Sequence, residues 1–215
     1  MKLEFWIDYN NPMCYKQHQV IESIVKKYKR EDFELLYRSY EMIPFFEPSS
    51  EHTFYELMSR HYVSTLEETI KMYPNIPDHF YPVKVIDAHR LSHLAKKYDV
   101  AFEYHKALFH AYYEQQKDIS NHDVLVEIGT KIGIEEDLIR AVLQSNLYLD
   151  SVQSNRENAI VKGIFELPHM RINGKLKLAC LHDEKTIIDH IIQAEQLISR
   201  HEHCDDGNCE RKKTR

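Results

Sequence analysis

The hydrophobic pattern changes several times along the chain. At the N-terminus, residues 2–8 alternate between apolar and polar side chains, which predicts a strand. Apolar positions then repeat at helical spacing over about 12–30, and residues 33–39 are again strand-like. A strand, a helix and a second strand in this order predict a parallel pair joined by a crossover helix.

A long helical pattern follows. From about residue 50 to 162, apolar positions repeat almost entirely at helical spacing, and prolines and glycines break the stretch into short pieces. At the second predicted helix, Ser64 is followed three residues later by Glu67, which predicts a capping box. The predicted helices span 52–61, 64–73, 86–98, 102–116, 123–132, 135–144 and 147–161.

Strand character returns late in the chain, on both sides of Asn173-Gly174. This dipeptide lies between two short strand-like runs, 170–172 and 175–179, and is a strong β-hairpin signal. A final amphipathic helix is predicted over about 183–200. Because strands occur at both ends of the chain, we predict one sheet that is interrupted in sequence by a helical block.

Composition narrows the classes of function. The chain has 215 residues, 43% of them hydrophobic, and a net charge of −6, which suits a packed core and argues against a nucleic-acid partner. No apolar run approaches the ~18 residues needed to cross a bilayer. The N-terminus reads as a strand and not as a signal peptide. We therefore expect a cytoplasmic protein with no membrane partner, where thiols are mostly reduced.

One stretch between the first strand and the first helix, Asp8-Tyr9-Asn10-Asn11-Pro12-Met13-Cys14-Tyr15, resembles a known redox motif. It is similar to the start of the DsbA-like thioredoxin family, specifically the FrnE-like branch of dithiol–disulfide isomerases. Further stretches resemble the same branch in the same order, from residue 3 to about 198. They are 38–44, 88–91, 107–113 with 118–119, and 159–168.

The resemblance implies a fold class and a domain organisation. The expected class is α/β, a thioredoxin-like fold with a large all-helical insertion. Residues 1–48 and 163–200 would form the thioredoxin-like domain, and 49–162 the helical insertion domain. Residues 201–215 would form a flexible tail that contains cysteines and histidines.

The resemblance also implies a site. Cys14, Asn11 and Pro168 would occupy the catalytic positions. Pro168 would follow a cis peptide bond and face Cys14, so that the residue before it could pair with a peptide or thiol substrate. The implied substrate-binding positions are Pro12, Met13 and Leu167.

Position 11 is where the branch carries the first cysteine of its pair, and this chain has asparagine there. Disulfide exchange requires one thiolate that attacks and a second thiol that releases the mixed disulfide. A helix N-terminus lowers the pKa of a thiol at that first position, but Asn11 can only cap the helix and hydrogen-bond. Cys14 lies one turn further in, where the thiol is usually buried. The ordinary two-cysteine cycle is therefore excluded unless another cysteine enters.

Three functions remain open. The first is a thiol–disulfide oxidoreductase or isomerase in which Cys14 is assisted by an accessory redox pair, Cys204 and Cys209, such as FrnE-like proteins often carry. The second is a non-catalytic adaptor that binds a protein client on the thioredoxin fold. The third is a glutathione-binding protein similar to kappa-class glutathione transferases and 2-hydroxychromene-2-carboxylate isomerases. The corresponding partners are protein thiols or disulfides, a protein client, or glutathione.

We predict no cofactor and no metal site. The tail residues His201, His203, Cys204 and Cys209 are of ligand type, but their spacing is not a standard zinc arrangement. Cys180, at the end of the hairpin, is expected to be a buried apolar residue. The fourteen histidines are scattered along the chain, and most are expected at the surface.

Overall fold

The computed structural model describes residues 1–28, 34–44, 47, 53–62, 65–72 and 81–205. The strands in this part of the chain are β1 (Lys2–Ile7), β2 (Glu34–Ser39), β3 (His169–Ile172) and β4 (Leu176–Ala179). They form one sheet in the spatial order β2-β1-β3-β4. β1 pairs in parallel with β2 and antiparallel with β3, and β3 pairs antiparallel with β4. The prediction of one sheet built from both ends of the chain is confirmed.

Helices connect and cover these strands. Helix α1 (Pro12–Tyr28) links β1 to β2, and α9 (Glu184–Asp205) follows β4 and extends past its predicted end at residue 200. The predicted end of α1 and the predicted start of β2 fall outside the described residues. The helices between β2 and β3 are α2 (Phe54–Tyr62), α3 (Leu66–Met72), α4 (Ile86–Lys97), α5 (Ala101–Tyr113), α6 (His122–Lys131), α7 (Glu136–Leu143) and α8 (Leu149–Val161).

The capping box of α3 lies one residue later than predicted. The Thr65 amide donates to Glu68 Oε2 at 2.8 Å, and the Glu68 amide donates to Thr65 Oγ1 at 3.2 Å. The sequence here fits the capping pattern from either of two adjacent residues, and the prediction for Ser64 and Glu67 was wrong because α3 begins at Leu66. Ser64 itself lies outside the described residues.

The helical block packs against the sheet along β2 and α1. Helix α8 contacts β2, and α5 contacts α1, while α9 contacts α1, β3 and β4. Buried apolar side chains form one cluster that continues from the sheet into the helical block. Among the described residues, no helix is both long enough and apolar enough to cross a bilayer.

A buried arginine fixes the connection between α7 and α8. Arg90 on α4 donates from Nε to the Leu147 carbonyl at 2.8 Å and from Nη1 to Asp87 Oδ1 at 2.6 Å. Its Nη2 group donates to the carbonyls of Val142 and Ser145. Carbonyls at a helix C-terminus lack partners within the helix, and a guanidinium supplies several donors at once. Arg90 thereby anchors the segment from which α8 starts.

Candidate functional site

Asn11 joins the start of α1 to the segment that precedes β3. Its Oδ1 accepts a hydrogen bond from the Met13 amide at 2.9 Å, which caps the helix. Its Nδ2 donates to the Leu167 carbonyl at 3.3 Å and lies 3.8 Å from Met42 Sδ. The Asn11 side chain is fully buried. An amide thus fills the position at which the resemblance implies a nucleophilic thiol.

Pro168 lies at the same end of the sheet. The Leu167–Pro168 peptide bond is cis, which is the isomer that the resemblance implies. β3 begins at the next residue, His169, which is opposite Trp6 near the end of β1. The hydrogen bond from Asn11 to the Leu167 carbonyl therefore holds the start of α1 next to the start of β3.

Cys14 is fully buried behind this contact. Burial raises the pKa of its thiol well above the ordinary value, and the nearby Asp8 charge raises it further, against a lowering hydrogen bond to the Asp8 backbone. Because the thiolate is the nucleophile, a buried and protonated thiol is poorly suited to attack a disulfide. Pro12 is also buried and Met13 is half-buried, so this turn exposes little side-chain surface.

Asp8 is a further site residue, with no role predicted from the sequence. Its Oδ1 accepts from the Asn10 amide at 2.9 Å, and its Oδ2 accepts from the Met42 amide at 2.6 Å. Burial raises the pKa of this carboxyl to about 6, although both amides lower it. Burial and the Asp8 charge together raise the pKa of Glu41 to about 7. The signal for Asp8 was its place at the end of a buried strand, next to the motif.

The helical block holds the same segment from the other side. Asn10 donates from Nδ2 to the Val83 carbonyl at 2.9 Å and accepts from the Val83 amide at 3.1 Å. The Tyr112 hydroxyl donates to Asn10 Oδ1, and the Tyr113 hydroxyl donates to the Tyr9 carbonyl. Side chains of the insertion therefore determine where the turn before α1 lies.

Cys180 is exposed, so the expectation that it is buried was wrong. It follows β4, whose last residue, Ala179, pairs with His169, and its φ of +67° turns the chain away from the sheet. The Cys180 thiol donates to Glu166 Oε2 at 3.3 Å. Partial burial and then this carboxylate raise the pKa of the thiol. The register places this cysteine near the Pro168 end of the sheet.

The accessory cysteines are not brought to this site by any described contact. Cys204 lies in the last turn of α9, and Cys209 lies outside the described residues. The tail histidines 201 and 203 also fall on the backbone of α9. Within the described part of the chain, no three histidine, cysteine, aspartate or glutamate side chains are arranged to hold a metal ion.

Four histidines are buried, and the other five whose burial the structure describes are partly or fully exposed. The histidine–tyrosine cluster consists of Tyr9, His18, Tyr37, His89 and His105, which lie between the sheet and the helical block. Two hydroxyl–imidazole hydrogen bonds of 2.9 Å join Tyr9 to His105 and Tyr37 to His18. Burial lowers the pKa of His18 to about 4 and of His89 to about 3. These imidazoles serve as neutral aromatic core.

Comparison with known families is consistent with this geometry. Residues 2–190 match the family described as the DSBA-like thioredoxin domain. YwbO, an uncharacterized protein of Bacillus subtilis strain 168, is 22% identical over 156 residues, which cover 69% of this chain and 74% of that protein. The assignment to the FrnE-like branch stays a prediction.

Solved structures show the same fold. A probable DsbA oxidoreductase of Streptomyces coelicolor has a TM-score of 0.76 at 20% identity, covering 91% of this chain and 90% of its own. The cytosolic disulfide reductase DsbM of Pseudomonas aeruginosa, solved with GSH, has a TM-score of 0.61 at 12% identity, covering 94% and 100%. A 2-hydroxychromene-2-carboxylate isomerase has 0.61 at 16%, covering 98% and 100%. The predicted thioredoxin-like α/β fold with an all-helical insertion is confirmed.

Proposed function

The chain belongs to the DSBA-like thioredoxin domain family of thiol–disulfide oxidoreductases, and we propose that it binds protein thiols or disulfides without turning them over at Asn11 and Cys14. In this proposal Asn11-Pro12-Met13-Cys14 is a degenerate active-site pair. Residues 1–48 and 163–200 form the thioredoxin-like unit that carries it, and 49–162 form the helical insertion. The proposed location is the cytoplasm, since DsbM, which has the same fold, is described as a cytosolic disulfide reductase.

The observation that supports this proposal is that the Asn11 side chain uses both its oxygen and its nitrogen in hydrogen bonds within the protein. Its side-chain amide accepts a hydrogen bond from the Met13 backbone amide and donates one to the Leu167 carbonyl. Cys14, behind this contact, is fully buried. Exchange needs an accessible thiolate on the protein and a second thiol to resolve the mixed disulfide. Neither position supplies one. What the arrangement retains is a fixed turn beside Leu167 and Pro168, where an extended client can lie.

The proposal is tested by reduction of insulin. Wild type and Cys14→Ser are expected to show equal rates at the background level, because the thiol they differ in is buried and protonated. Asn11→Cys is expected to give a large gain, since it restores a thiol at the helix N-terminus. A wild-type rate clearly above that of Cys14→Ser would contradict the loss of exchange chemistry. No gain from Asn11→Cys would mean that the surrounding groove has also changed.

A second candidate keeps thiol chemistry but places it on other cysteines. The observation in its favour is the exposed thiol of Cys180 at the Pro168 end of the sheet. Cys204 and Cys209 would then act as the accessory pair. This version predicts insulin reduction that survives Cys14→Ser and disappears when Cys180, Cys204 and Cys209 are all replaced by serine.

A further inference from the structure

A groove opens beside Asn11 and runs along α8. Its volume is about 420 Å³. One wall comes from the segment after β2, including Met42 and Ile43, and the other from Ile160 and Phe165, at the end of α8 and just beyond it. One wall reaches the candidate site, because Met42 Sδ lies 3.8 Å from Asn11 Nδ2. On the other wall, Phe165 is two residues before Leu167 in the sequence. The groove therefore lies next to the degenerate turn, whose own side chains are largely buried.

The walls of this groove are apolar and partly open to solvent. Phe165 is 58% exposed, and Ile43, Pro44 and Ile160 are partly exposed. Large apolar side chains with this exposure, grouped beside a cleft, are typical of a binding surface. The groove is suited to the apolar side chains of an extended polypeptide.

Two arginines give the groove a positive charge. Arg60, on α2, is exposed, and among the described residues no carboxylate pairs with it. Arg156, on α8, donates from Nε to the Glu41 carbonyl at 2.9 Å and lies over the Tyr40 ring at 5.8 Å. Three other arginines differ in this respect, since Arg38, Arg90 and Arg140 each form an ion pair.

Carboxylates beside Arg156 offset this charge only in part. Glu41, Glu47 and Glu157 line a neighbouring cavity that also contains Arg156, and the Arg156 charge lowers the pKa of Glu41. Burial and the Asp8 charge raise the pKa of Glu41 to about 7, so near neutral pH a large fraction of this carboxyl is uncharged. In a chain with a net charge of −6, two guanidiniums that form no ion pair among the described residues line one apolar groove, which suits a carboxylate.

We propose that this groove binds an acidic segment of a client polypeptide, with an aspartate or glutamate held by Arg60 and Arg156 and neighbouring apolar side chains packed on Phe165 and Ile43. The inference deepens the proposed binding function and rests on it. The two arginines supply the preference for acidic clients, and the apolar walls supply contact area that does not depend on charge.

The test measures binding of two fluorescein-labelled peptides by anisotropy. The peptides are acetylated, share phenylalanine and leucine residues, and differ only in one central glutamate or glutamine. Wild type is expected to bind the glutamate peptide about 5- to 10-fold more tightly at low salt, with the preference falling as salt rises. Arg60→Gln and Arg156→Gln are each expected to remove most of this preference and to leave the affinity for the glutamine peptide nearly unchanged.

Arg140→Gln on α7 is the matched control, because it removes a partly exposed arginine whose partner is Glu136 and which does not line the groove. It is expected to bind both peptides as wild type does. Arg60→Gln keeps the test valid even if Arg156→Gln disturbs folding, because Arg60 has no described hydrogen bond to lose.

The outcomes separate this inference from the proposed function. Equal binding of both peptides to wild type would overturn the acidic preference while leaving client binding intact. No binding of either peptide would overturn both. Displacement of the glutamate peptide by reduced glutathione, with Arg60→Gln weakening glutathione equally, would identify a small thiol and not a client polypeptide as the occupant.

Discussion

Two buried polar regions flank the first strand and its turn, and they respond to charge in opposite ways. At the C-terminal end of β1, Asp8 accepts two backbone hydrogen bonds and still has a raised pKa of about 6. In the histidine–tyrosine cluster, His18, His89 and His105 are held neutral, and four of their ring nitrogens have no partner among the described residues. One region loses stability when its group ionises at neutral pH, and the other when its groups ionise in acid.

The difference shows what each region contributes. The Asp8 carboxyl organises backbone amides, and this fixes the turn that carries Asn11 against the segment at Met42. The histidines act mainly through their ring faces, as in the stacking of His105 on Tyr37 at 3.7 Å between centroids. A hydrogen-bonded turn specifies position, while an aromatic layer with orphaned nitrogens supplies contact area at an electrostatic cost.

The largest expected effect is acid unfolding driven by the cluster. The folded pKa values of about 4 for His18 and about 3 for His89 lie below the unfolded value of 6.5. Stability is therefore fully present above pH 6.5 and is lost as the pH falls towards the folded values, by about 3 kcal/mol per histidine at pH 4. Urea unfolding followed by circular dichroism between pH 7.5 and 4 measures this loss.

The matched variants for this prediction are His89→Leu and His110→Leu. His89 is fully buried with both ring nitrogens unpartnered, whereas His110 is exposed on α5. Replacing His89 is expected to make the loss of stability below pH 6.5 shallower, and replacing His110 is expected to leave it unchanged. Identical pH profiles for the two variants would mean that the cluster does not control acid stability.

A smaller effect of opposite sign is expected at Asp8. Because its folded pKa is raised from 3.8 to about 6, the folded state retains the proton longer than the unfolded chain does, and stability falls as the pH rises through this window. Asp8→Asn cannot ionise. The stability of Asp8→Asn relative to wild type is expected to improve by about 2–3 kcal/mol between pH 4 and pH 7.

The control is Asp137→Asn, which removes an exposed carboxyl on α7. The stability of this variant relative to wild type should not change between pH 4 and pH 7. A difference between Asp8→Asn and wild type that stays constant with pH would show that Asp8 is ionised in the folded state as readily as in the unfolded one. The same urea titrations supply both measurements, so the two regions are compared under identical conditions.

The elements of the fold could be predicted because each follows a local period. The alternation of 2–8 and the Asn173-Gly174 hairpin depend on neighbours in sequence, as do the amphipathic helices. Local rules failed where two registers were equally good, as at the capping box of Thr65, and where tertiary packing decides burial. Histidine counts as polar in a sequence pattern, but His105 is covered on both sides by helices and rings that only the fold assembles.

The candidate site was predictable only in its linear part. The stretch from Asn11 to Cys14 and the proline at 168 are recognisable from their resemblance to a family. The groove could not be recognised from the sequence, because Arg60 and Arg156 are almost a hundred residues apart and nothing in their local sequence relates them. Cys180 was misassigned because its burial depends on where β4 ends and not on the apolar run that precedes it.

The smallest expected effect is on the reactivity of an exposed thiol, Cys180, next to a carboxylate. The carboxylate of Glu166 accepts a hydrogen bond from Cys180 and raises the pKa of that exposed thiol. In a Cys204→Ser, Cys209→Ser background, iodoacetamide is expected to label Cys180 and to leave buried Cys14 unlabelled until the protein unfolds. Glu166→Gln is expected to speed labelling of Cys180 about 2- to 5-fold at pH 7.5, because it removes a negative charge that opposes the thiolate. Labelling is followed by mass spectrometry of the two peptides.

An unchanged labelling rate of Cys180 in Glu166→Gln would mean that Glu166 does not lower the reactivity of this thiol. Early labelling of Cys14 would mean that the turn held by Asn11 and Asp8 opens in the folded protein.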